Sequence, residues 1–128
     1  MTSFLGQALL VGLGGFIGSS LRFVVHHGMH RVVPGVFPIG TFTVNMLGCI
    51  LIGVVIGLID HRGLLDNSWR LFLAVGVLGG FTTYSSFAFE NMSLLAGSEF
   101  LHFGVNIVSQ LAFGLLFAWV GYQLVRLI

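Results

Sequence analysis

The sequence predicts an all-α integral membrane protein of four transmembrane helices, the third of them broken near the membrane midplane. Three observations predict it. Hydrophobic residues make up 56% of the chain and charged residues 7%, against roughly 25% charged in soluble domains, so side chains for a water-facing surface are lacking. Four apolar stretches each reach the length of about 20 residues that a helix needs to cross the hydrocarbon. The third carries a glycine pair and a cluster of hydroxyls where a spanning helix would be apolar throughout.

The first span is read over about residues 4–25, the second over about 39–59, the third over about 69–96 and the fourth over about 103–125. The connections HHGMHRVVPGVFP, DHRGLLDNS and GSEFLH hold most of the charge and both prolines. None is long enough for an extramembrane domain, so residues 1–128 form a single four-helix transmembrane domain. The start, MTSFLGQALL, lacks a basic segment, and a cleaved signal peptide is not expected.

Charge excludes further classes. A net charge of +1 without a basic cluster argues against a nucleic-acid partner. The single cysteine, Cys49, rules out an internal disulfide and a CxxC motif, and its apolar setting reads as a small packed residue. The histidines lie mostly in connections (His26, His27, His30, His61) without metal-ligand spacing on a common helix face. No nucleophile triad, P-loop or dinucleotide fingerprint is present, so no enzyme is expected.

Four spans place both termini on one side. Arg62, Arg70 and Arg126 then lie on that side, and Arg22 and Arg31 on the other. That bias hardly sets an orientation. Either insertion in both orientations, with an antiparallel dimer, or one orientation set by the translocon is compatible with it. Gly14 and Gly18 in the first span, and Gly48, Gly53 and Gly57 in the second, let helix backbones approach closely in lipid.

The third span, WRLFLAVGVLGGFTTYSSFAFENMSLLA, carries the chemistry. Glycine pairs weaken a helix, and Ser and Thr compete for its backbone hydrogen bonds. Unwound backbone at this depth builds ion sites, because freed carbonyls face cations and half-helix N-termini face anions. The other reading is a continuous helix whose hydroxyls bond to the preceding turn. Beyond the glycines, Tyr84 and Phe87 share a face with Ser85 and Ser86 between them. Ring edges are electropositive, so rings and hydroxyls together suit a small anion, although the rings also suit simple packing. Asn45 is deep enough to need a partner, either a pathway or another helix. Arg22, near the end of the first span, either snorkels or lines a vestibule. Glu90 is an intramembrane carboxylate, a functional position by default. Asn106, Ser109 and Gln110 form a partly polar stripe suited to helix contacts.

These residues resemble a known family. Gly79-Gly80-Phe81-Thr82-Thr83-Tyr84-Ser85-Ser86-Phe87 with Glu90, GGFIGSSLRF at residues 14–23 and GTFTVNMLG at residues 40–48 look like the signature of the Fluc (CrcB-type) fluoride channels, over essentially the whole chain. The resemblance implies a dual-topology antiparallel homodimer in the cell (inner) membrane, with two pores for passive fluoride efflux that lowers cytoplasmic fluoride. It also implies a central structural sodium ion, not transported, on the backbone carbonyls of Gly79 and Thr82 of both subunits. The fluoride pathway then falls on Asn45, Tyr84, Ser85, Ser86 and Phe87, and the embedded charged positions on Arg22 and Glu90. Position 84 departs from the pattern, with Tyr where many members have Phe. The competing class is a small dual-topology multidrug-type cation transporter, which would want a carboxylate in the first span. That span has none.

Overall fold

The computed structural model describes residues 3–128. Helix α1 covers Phe4–Val32 and α2 covers Ile39–Arg62. Helix α3, residues 67–81, is joined through an extended Thr82–Thr83 step to α4, Tyr84–Ala96. Helix α5 covers Phe100–Leu127. Together α3 and α4 make one span, so four segments are long and apolar enough to cross a bilayer. The large apolar side chains on their outer faces, among them Phe16, Phe23, Leu101 and Leu115, are exposed, as lipid contact requires.

Local chemistry sets the ends. The Ser3 hydroxyl accepts from Gly6 N at 3.2 Å and caps α1. Gly63, at φ 59°, closes α2 in the left-handed conformation that glycine adopts without a Cβ penalty. Asp66 caps α3 by accepting from Trp69 N at 3.1 Å. Within α3 the residues Arg70–Leu78 are wound as a π-helix, a rare winding that concentrates at functional sites.

All four spans outrun their predicted lengths: α2 continues to Arg62, so His61 is helical and not in a connection, and the third span begins at Asn67. Helix α1 continues to Val32, so His26, His27, His30 and Arg31 are helical residues and not part of a connection. Its last turn ends on Arg31, a cation favoured at a helix C-terminus. Helix α5 begins at Phe100, because the turn before it is completed within 97–99 by Ser98 at φ 57°.

Helix α1 packs on α3, and α2 packs on α5 while also meeting α1 and α3. Both main crossings rest on glycine. A methyl group on Gly14 would lie 2.5 Å from the Phe72 carbonyl, and one on Gly18 would strike that of Val77. Across the α2–α5 crossing, a methyl on Gly53 would strike the Ala118 carbonyl and one on Gly121 that of Ile50. Lipid tails are as apolar as leucine, so close backbone packing holds these helices together where a hydrophobic driving force is absent.

Candidate ion pathway at the broken helix

The break lies two residues beyond the glycine pair. Gly79 and Gly80 are still helical, and the chain extends at Thr82 (φ −81°, ψ 160°) and Thr83 (φ −150°, ψ 121°). Three side chains account for it. Thr82 Oγ1 donates to the Leu78 carbonyl at 2.9 Å, alongside its own N–H at 3.0 Å. Thr83 Oγ1 accepts from Ser86 N at 3.2 Å and so caps α4. Asn45 then pairs both polar groups of Thr83: the N–H donates to Asn45 Oδ1 at 2.9 Å, and Asn45 Nδ2 donates to the carbonyl at 3.1 Å. Room for this comes from Gly48, where a Cβ would collide with the Thr82 methyl.

The diverted donors leave carbonyls behind. In a continuous helix the Thr83 N–H would return to Gly79 and the Ser86 N–H to Thr82. Here those N–H groups go to Asn45 and to the Thr83 hydroxyl. The carbonyls of Gly79 and Thr82 are thereby released from the ladder. Gly79 is also exposed on the outer face of the chain. Oxygen donors of this kind suit a hard cation.

Two cavities meet at Thr83. The first, about 400 Å³, is lined by Asn45, Gly79, Thr82, Thr83, Tyr84, Phe87 and Gln110 among others. The second, about 360 Å³, is lined by Ser19, Arg22, Phe23, His26, Val44, Thr83 and Ser86. Thr83, itself buried, borders both.

The predicted residues therefore divide. Asn45, Gly79, Thr82, Tyr84 and Phe87 share the first cavity, and the Tyr84 and Phe87 rings stand 5.9 Å apart at 49°. Ser86 and Arg22 share the second. Ser85 is exposed, its hydroxyl 3.5 Å from that of Thr83. Glu90 stands apart from both: the Thr41 hydroxyl donates to its Oε1 at 2.6 Å, and His26 Nε2 faces that oxygen at 3.7 Å. Its other oxygen is buried without a partner. Among the described residues Arg22 forms no ion pair, consistent with a side chain that supplies positive charge to a cavity.

Four residues at the site were not singled out from sequence. Thr83 looked like one hydroxyl among several. Thr41 sits unmarked inside GTFTVNMLG, His26 falls in the predicted connection, and nothing local singles out Asn91. The signal available for His26 and Thr41 was the carboxylate of Glu90, which in hydrocarbon has to find donors.

The arrangement defines a class: a multi-pass membrane protein whose third span is unwound between the carbonyls released at Gly79 and Thr82 and a hydroxyl-bearing half-helix. The sequence model of the family described as "CrcB-like protein, Camphor Resistance (CrcB)" matches residues 9–122. A protein of Nitratidesulfovibrio vulgaris described as "Fluoride-specific ion channel FluC" is 39% identical over 95% of this chain and 98% of its own length. One of Clostridium perfringens with the same description is 38% identical over 94% of each. A Methanosarcina barkeri protein, "Fluoride-specific ion channel FluC 3", is 37% identical over 88% of this chain and 85% of its own. This chain belongs to the CrcB family.

Proposed function

We propose that the chain is a fluoride channel that lets fluoride leave the cytoplasm passively across the cell (inner) membrane. The observation that carries this reading is the broken third span, in a chain whose relatives are described as fluoride-specific channels over almost their whole length. Its functional unit is an antiparallel homodimer with two pores. The exposed position of Gly79 supports that assembly, since a bare carbonyl at this depth needs protein or water over it.

In this reading fluoride moves along the Tyr84–Phe87 face, past the hydroxyls of Ser85, Ser86 and Thr83, toward the cavity of Arg22. Ring edges and hydroxyl hydrogens replace part of the ion's hydration without a full countercharge, so the ion binds and still leaves. Arg22 raises the local anion concentration. The carbonyls of Gly79 and Thr82 would hold a structural sodium ion shared with the second copy. When bound, such an ion supplies fixed positive charge and a crosslink between the two breaks.

The test is fluoride efflux from liposomes containing the purified protein, followed with a fluoride electrode with and without sodium. Fluoride flux without chloride flux is expected, falling when sodium is withdrawn. Phe87→Ile is expected to abolish the flux while the dimer survives size-exclusion chromatography. Intact protein that passes no fluoride would refute the reading.

A further inference from the structure

Four carboxamides form one directed chain beneath the break. It starts at a backbone donor, since the Thr83 N–H bonds to Asn45 Oδ1 at 2.9 Å. Asn45 Nδ2 donates to Gln110 Oε1 at 2.8 Å, and Gln110 Nε2 donates to Asn106 Oδ1 at 3.0 Å. Asn106 Nδ2 then donates to Asn91 Oδ1 at 3.0 Å, and Asn91 Nδ2 ends the chain on the Phe87 carbonyl at 2.9 Å. Every link runs the same way. The two ends are backbone groups at opposite ends of the first turn of α4, while the middle passes through α2 and α5.

Direction matters because a carboxamide can turn over and exchange its oxygen and nitrogen. The ends of this chain cannot: the Thr83 N–H is only a donor and the Phe87 carbonyl only an acceptor. If one amide turned over, oxygen would face oxygen on one side and N–H would face N–H on the other. Asn106 is 0% exposed, so no water is at hand to relieve such a mismatch, and an unmade hydrogen bond there is costly. Only one orientation of each amide pairs the whole chain.

The bonds of Asn45 follow from this. Its two N–H groups are both taken, by the Thr83 carbonyl and by Gln110. Asn45 has no donor to offer a passing anion while the chain is intact. Its role is to hold the Thr83 N–H away from the Gly79 carbonyl. We propose that Gln110, Asn106 and Asn91 are positioning residues for the break: through the orientation of Asn45 they keep the helix open at Thr82–Thr83. The anion's donors then come from the hydroxyls and not from Asn45. The consequence for flux rests on the fluoride-channel reading above; the structural consequence does not.

Hydrogen exchange at the Thr83 amide in the reconstituted dimer separates the two. Asn106→Ala, three links away from that amide, is expected to speed its exchange by about tenfold. Gln110→Met, which keeps the volume of a half-buried side chain, does the same and carries the test if Asn106→Ala fails to fold. Unchanged exchange at Thr83 in the folded variants, with loosening confined to α5, would overturn the proposal. Fluoride efflux supplies the second arm. Links of one chain fail together, so the double variant should be no slower than the slower single variant. Losses that multiply would show two independent packing defects and would also overturn it. If the wild type passes no fluoride, the exchange arm still decides the relay, and only the fluoride reading falls.

Discussion

The α2–α5 crossing is held together in two different ways along its length. In one half, Gly53, Gly57 and Gly121 bring the backbones together, with each glycine facing main-chain atoms of the other helix. In the other half, Asn45, Gln110 and Asn106 meet through side-chain amides. The glycine half depends mainly on shape. Directed bonds occur only at its end, where Arg62 Nε donates to the Val125 carbonyl at 3.3 Å and the Tyr122 hydroxyl donates to Asp60 Oδ2 at 3.2 Å. The amide half depends on direction and fixes the backbone of a third segment. The first answers the problem of association in lipid; the second holds open a helix that would otherwise close on itself.

Substitutions should separate the two halves. The largest effect is expected at Gly53→Leu, where even a methyl group would strike the Ala118 carbonyl. Overpacking of this kind costs about 3 kcal/mol or more against unyielding backbone. The outcome to look for is loss of monodisperse protein in detergent, with no separate effect on selectivity. A folded Gly53→Leu protein with normal flux would show that the crossing is not held by shape.

An intermediate effect is expected at Thr41→Val, which keeps size but removes the hydroxyl donor to Glu90 Oε1. With Oε2 already unpartnered, the carboxylate loses a bond worth about 1–3 kcal/mol. Thermal unfolding should come earlier and fluoride efflux should fall severalfold. Wild-type values for both would show that His26, 3.7 Å away, satisfies Glu90 without Thr41. The smallest effect belongs to Tyr84→Phe. The ring is 80% exposed, and its hydroxyl has no partner among the described residues. Stability should stay within about 0.5 kcal/mol and the efflux rate close to wild type. A clear change in rate would place the hydroxyl in the pathway.

Much of this was legible in the sequence. Hydropathy located four spans, and Gly79-Gly80 followed by hydroxyls marked where the third would fail. The glycine spacing of α1 and α2 also foretold the close crossings. Two things were hidden. The exact break depends on Asn45 reaching Thr83, a pairing between residues 38 apart in sequence. The bond from Asn45 to Gln110 spans 65 residues, and no local pattern encodes such a partner. The π winding of Arg70–Leu78 left no mark in composition either. The reach of α1 is hidden for a simpler reason: the polar HHGMHR stretch ends the hydrophobic signal while the helix itself continues to Val32.

The directed amide chain has an evolutionary consequence. A single replacement at Asn45, Asn91, Asn106 or Gln110 strands the neighbour on either side of it. The cost of one mutation therefore depends on the state of the next link. Drift at these sites should proceed by coupled exchanges, such as two adjacent amides giving way to an apolar pair or to a hydroxyl and its acceptor. Lineages should then differ by whole blocks of the chain more often than by single letters, a dependence that the glycine half of the same crossing does not impose.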